Sequence, residues 1–134
     1  MQFFKITFFA FCMILSLQTL AQSQEKCFSN AGLKSETTIK IKFLPNNQIA
    51  GTLTTDDYAG TQANASFTGT IKNGIIQPVF EKKIPSIGEG SEWTNKPWSI
   101  KKTKAGETLN IIFKSKNYNT NAWKETPYVF EVCK

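Results

Sequence analysis

Apolar and polar residues alternate with a period of two along most of the chain after residue 36. No stretch of ten or more residues there repeats apolar positions at helical spacing. Such a chain can bury one face of each segment only by building antiparallel sheet, so the reading is all-β. Thr37, Ile39, Ile41 and Phe43 alternate with Thr38, Lys40 and Lys42, and Leu44-Pro45-Asn46-Asn47 turns the chain. Ile49, Gly51 and Leu53 give the next face, which ends in a polar loop from Asp56 to Gln62. Ala65, Phe67, Gly69 and Ile71 give the third. Asn73-Gly74 follows as a type I′ hairpin signal, because both central residues of that turn take positive φ.

A fourth strand, Ile75 to Lys82, carries Ile76 and Phe80 on one side, and Pro78 removes a ladder donor within it. It is therefore expected at an edge, a bulge or a bend. An insert without regular alternation runs from Ile84 to Pro97. Trp98 and Ile100 resume the pattern, and Leu109, Ile111 and Phe113, then Tyr128, Phe130 and Val132, supply the last inward faces. Seven strands are readable, and an eighth is expected near Cys27 to Asn30 or Asn117 to Lys124. Regular hairpins favour a meander, and closing it removes exposed edges. The fold expected is a small antiparallel up-and-down β-barrel, preferred over a sandwich. Gly51 and Gly69 fall on inward faces where a small barrel needs room to curve. The expected core is Ile39, Ile41, Phe43, Ile49, Leu53, Phe67, Ile71, Phe80, Ile100, Leu109, Ile111, Phe113, Phe130 and Val132.

Residues 1–21 read as a cleaved export signal. Lys5 precedes an apolar run from Ile6 to Leu17, too short to span a bilayer, and Thr19 and Ala21 meet the small-residue cleavage rule. Residues 22–134 then form one domain, secreted or periplasmic, with no membrane anchor after cleavage. Cys12 leaves with the signal, and Cys27 and Cys133 remain. Two cysteines in an exported chain are most simply one disulfide, here closing a loop that takes in nearly the whole domain and lying outside the core or at a rim.

The chain has 134 residues and no histidine, which excludes His-dependent triads, HExxH zinc chemistry and Cys/His zinc fingers. All 16 basic residues are lysine, against 10 acids, and the lysines are scattered along the sequence. Without an arginine fork, no nucleic-acid partner is expected. No cofactor or metal is expected either. Asp56-Asp57-Tyr58 reads as turn chemistry, and Glu89 and Glu92 sit in an irregular insert rather than on the rigid frame that an acid/base pair needs.

Aromatic residues in or beside loops are the suggestive feature. Trp93, Trp98, Tyr118 and Trp123 are the candidate ligand- or partner-binding residues, with the alternative that Trp98 is core and Trp93 plugs a barrel end. The function expected is that of an exported non-enzymatic binding protein for a small ligand or a protein partner. The alternative is an inhibitor of a hydrolase, a lysozyme or a protease, acting through the 84–98 loop. A cavity lined by Phe67, Phe113 and Phe130 would favour the first, and a filled barrel with a rigid loop the second. Trp93→Ala is expected to weaken capture with little loss of fold.

The segments IKIKFLPNNQIAGTLTT and ASFTGTIKNGIIQPVFE resemble small exported lipocalin-like or avidin-like barrel proteins of Gram-negative bacteria, especially Bacteroidota. Ile49, Gly51 and Leu53 match one strand of that pattern, and Phe67, Gly69 and Ile71 match another. The resemblance spans Glu36 to Lys83 and implies export and a barrel. Beyond Lys83 the Trp-containing insert and the cysteine-terminated last strand depart from it.

Overall fold

The structure, a computed structural model, describes residues 23–32, 35–85 and 90–134. The expected signal segment lies outside the described residues. Nine strands are present: β1 (Glu25–Ala31), β2 (Glu36–Leu44), β3 (Gln48–Asp56), β4 (Gln62–Lys72), β5 (Ile75–Phe80), β6 (Ser91–Trp93), β7 (Trp98–Thr103), β8 (Gly106–Lys116) and β9 (Trp123–Val132). All are joined antiparallel. Each of β1 to β4 pairs with the next, β5 pairs with β7, β7 with β8, β8 with β9, and β9 returns to β1. The result is a closed eight-stranded up-and-down barrel of the lipocalin-like kind, with β6 as an additional strand on β8.

Of the two expected places for the eighth strand, the first holds it as β1; the second holds a turn and the start of β9, the strand already read from Tyr128, Phe130 and Val132. The turns follow from their residues. Asn73 and Gly74 have φ of 52° and 75°, and Asn46 and Asn47 have 61° and 57°, all in the left-handed region that Asn and Gly tolerate best. These two turns and Lys104-Ala105 lie at one end of the barrel, the short-turn end. Gly32, Ser35, Gly90 and residues 57–61, 81–85 and 117–122 lie at the opposite, long-loop end.

Inward alternation fills the middle. Phe28, Ile39, Ile41, Ile49, Leu53, Phe67, Ile76, Trp98, Leu109, Ile111, Phe113 and Phe130 form one buried cluster. Phe43, Ile71, Phe80 and Ile100, expected in the core, pack against this cluster half-buried. Val132 departs from expectation and is 51% exposed. Alternation gives it the inward face, opposite Phe28, but it is the last residue of β9 and nothing beyond it in the strand covers it. Period-two patterning fixes a side chain's face and not how far the covered interior extends along the axis. Near the short-turn end Lys26 pairs with Glu107 and lies 5.4 Å from the Phe43 ring centre, so a charged pair with an aromatic contact closes that lip.

The two inward glycines are places of close approach. A Cβ on Gly51 would lie 2.3 Å from the Lys40 carbonyl oxygen and 2.4 Å from the Phe67 ring. On Gly69 it would lie 2.1 Å from the carbonyl oxygen of Gln77 and 3.2 Å from Pro78 Cα. The contacts at Gly69 are backbone and cannot rotate away. Gly69→Ala is therefore expected to destabilise the barrel by about 1–3 kcal/mol, read as a lower urea midpoint at unchanged slope. A neutral result would show that β4 and β5 can separate there at no cost.

Candidate functional site

The barrel wall has a gap, and its cause is local. β5 is registered to β7 only through Ile75↔Ser99 and Ile76↔Trp98, whereas its ladder with β4 continues to Phe80. From Gln77 to Phe80 the other edge of β5 is thus without a ladder partner among the described residues. Pro78, with no N–H to offer, sits on this stretch. The chain returns as β6, whose Trp93 is registered to Phe113, and continues as β7, whose Ser99 is registered to Asn110. β6 and β7 thus run in line along β8, with Thr94 to Pro97 bulging between them. Sequence alternation missed β6 because three residues are too few to show a period.

Between β5 and this interrupted strand lies a cleft of about 330 Å³, lined by Pro78, Phe80, Ile84, Trp93, Thr94, Asn95, Lys96 and Trp98. Three aromatic rings form its wall: Phe80 is 6.4 Å from Trp93 and 6.0 Å from Trp98, and the two indoles are 6.3 Å apart. The polar groups are mostly engaged. The Trp93 indole N–H donates to the Pro85 carbonyl at 2.8 Å, the Thr94 hydroxyl donates to the Ile112 carbonyl, and the Lys96 ammonium pairs with Glu125. Asn95 is exposed at the rim.

The four candidate aromatics do not converge on one site. Trp98 is fully buried and presents an inner wall, and Trp93 is half-buried with its ring centre 4.4 Å from that of Phe113. Tyr118 is exposed, and its hydroxyl lies where a Cβ on Gly90 would come within 2.3 Å. It therefore packs on the end of the insert, which the Lys116 N–H also holds through a 2.8 Å bond to the Gly90 carbonyl. Trp123, opposite Lys116 at the start of β9, stands apart from the cleft. Alternation places Phe80 in the core and Pro78 in a strand, and does not show their part in the cleft. The usable signal is Pro78 inside the strand that leads into the insert.

The expectation that Trp93 could be truncated with little loss of fold does not fit its surroundings. Its ring supports Phe113 and its indole N–H holds Pro85, so Trp93→Ala removes packing as well as cleft wall.

The carboxylates behave as turn and surface groups. Asp57 accepts the backbone N–H groups of Ala59 and Thr61, and Asp56 accepts that of Tyr58, as turn chemistry requires. The Thr61 N–H holds the Asp57 carboxyl below its ordinary range, against an opposing burial effect and with a lesser contribution from the Ala59 N–H. Glu92 is exposed on β6, registered to Lys114, and Glu89 lies outside the described residues. Among the described residues no group of three His, Cys, Asp or Glu side chains is placed to hold a metal, and no helix is long and apolar enough to cross a membrane.

In comparisons with known proteins, no family model, no curated protein and no solved structure matches this chain.

Proposed function

We propose that this protein is an exported, non-enzymatic binding module that captures its ligand or partner at the cleft between β5 and β6. The observation that carries the reading is the opening in the barrel wall, where Phe80, Trp93 and Trp98 line one small volume. Phe67, Phe113 and Phe130 belong to the buried core cluster, so the guest site proposed is the side cleft rather than a cavity lined by these three rings. Its volume is near the lower limit of small-molecule sites. That suits one compact, largely apolar group: a small planar ligand, or one aromatic or branched side chain of a protein partner.

A second reading draws on the same segment. Pro85 is fastened by Trp93, and Gly90 by Lys116 and Tyr118, so these two residues of the 84–98 loop are held to the frame. A hydrolase inhibitor acts through a loop held on a rigid frame, and inhibition assays against lysozymes and proteases test the 84–98 loop directly.

The test for the first reading uses native mass spectrometry of the exported protein from its own source, beside the Asn95→Arg variant. Asn95 is exposed at the rim, so a longer side chain there obstructs the cleft without entering the core. Wild type is expected to retain a ligand or partner that Asn95→Arg loses at least tenfold, while Glu92→Gln and Glu89→Gln retain it. Equal retention by Asn95→Arg, or turnover of a substrate abolished by either Glu substitution, would discard the cleft-binding reading.

A further inference from the structure

The sequence scatters its lysines, but the topology gathers some of them. Lys72 closes β4 opposite Ile75, Lys101 and Lys102 end β7, and Lys104 lies in the turn that follows. These two hairpins are joined directly: the Ile100 N–H donates to the Gly74 carbonyl at 2.8 Å. The neighbouring turn is joined in the same way, with the Ile71 N–H donating to the Asn47 carbonyl at 2.9 Å. Lys42, near the end of β2, extends the set, and all five lysines are exposed.

Acidic residues are few in this sector: Glu25 is registered to Lys42 and Glu107 to Lys102, and the acids of the intervening stretch lie elsewhere for a topological reason. Between Leu44 and Lys104 the described acids are Asp56, Asp57, Glu81 and Glu92, and each belongs to the long-loop end or to β6 beside it. Glu107 is occupied by Lys26. The described ion pairs are Lys26 with Glu107 and Lys96 with Glu125, neither of which uses the five lysines. Two apolar side chains stand among them on the outer face, Leu44 and Ile75, exposed by 37% and 44%.

We propose that the short-turn end is a peripheral docking surface for an anionic lipid bilayer. Charge complementarity selects a polyanionic partner, and the two apolar residues select a bilayer over a soluble polyanion. Lysine ammoniums attract a field of headgroup phosphates without needing the fork geometry that arginine supplies. Leu44 and Ile75 gain only where hydrocarbon lies beyond the phosphates. The surface is at the opposite end from the long loops, and the proposal stands independently of the cleft.

The test is co-sedimentation of the purified exported protein with vesicles of phosphatidylglycerol and phosphatidylcholine, and with phosphatidylcholine alone. Binding is expected to the anionic vesicles only, and to weaken as salt rises. Lys72→Gln/Lys101→Gln/Lys104→Gln, folded by circular dichroism, is expected to lose about a hundredfold in partitioning, at roughly fivefold per lysine. Leu44→Ser/Ile75→Ser should lose vesicle binding at least threefold while leaving any attraction to double-stranded DNA unchanged. Failure to bind anionic vesicles would overturn the proposal, as would binding indifferent to the three lysines. Equal affinity for DNA with a silent Leu44→Ser/Ile75→Ser would reassign the surface to soluble polyanions and overturn it too.

Discussion

Phe67→Ala is expected to lower the unfolding free energy by about 3–5 kcal/mol, among the largest effects of any single substitution in the barrel. Phe67 is 1% exposed, and its ring centre is 5.2 Å from both Phe80 and Trp98. The ring also reaches over Gly51, opposite it in the β3–β4 ladder. Gly51 has no side chain with which to fill the space that Ala would leave. The bend of β3 cannot close in either, because the Lys40 carbonyl already lies where a Gly51 Cβ would stand. A site that cannot collapse sits at the costly end of the large-to-small range. Urea unfolding followed by tryptophan fluorescence measures it, since Trp98 packs on the deleted ring. A loss below about 1 kcal/mol would mean that Phe80 and Trp98 can swing inward, and the cleft they wall would then be deformable. Phe67→Leu keeps most of the volume and is expected to cost less than half as much.

The same cluster explains which parts of the molecule were legible in the sequence. Alternation marks Ile39, Ile41, Phe67, Leu109 and Ile111 as inward because each lies in a strand long enough to show its period, and all are buried. Asn73-Gly74 was legible because its turn chemistry is local. Phe28 was not, because β1 is rich in polar and charged residues around one phenylalanine, and only pairing with β2 and β9 gives that residue a side. The cleft was half legible. Pro78 announces a broken ladder, but whether the break opens toward β4 or β7 depends on pairings made with residues far along the chain. The gathering of Lys72 with Lys101 and Lys104 was illegible for the same reason, since adjacent hairpins need not be adjacent in sequence.

Removing the disulfide is expected to cost about 2–5 kcal/mol, whether through Cys27→Ser, Cys133→Ser or both. Cys27 and Cys133 are bonded with Cα atoms 5.4 Å apart, across a sequence separation of 106. A loop of that length confines the unfolded chain strongly, by about 4–5 kcal/mol in the chain-entropy account. The location adds a native-state reason. β8 and β9 are registered from Thr108↔Glu131 to Lys116↔Trp123, whereas β1 and β9 share only Phe28↔Val132 and Ser29↔Glu131. The seam that closes the barrel is therefore one of its two shortest ladders, with the β5–β7 junction, and the covalent bond lies beside it, with the Cys133 N–H donating to the Cys27 carbonyl at 3.0 Å. Loss of the bond should lower Tm by roughly 10–20 °C. It should also speed hydrogen exchange at the β1–β9 amides before those of the β3–β4 ladder, because opening the seam exposes few residues while opening β3–β4 dismantles the core. Phe67→Ala should instead speed exchange in both ladders together. Reduced wild-type protein that unfolds at the same midpoint as the oxidised form would sink this account. So would a Cys27→Ser/Cys133→Ser variant whose seam exchanges no faster than β3–β4, since the barrel would then hold its own closure without the bond.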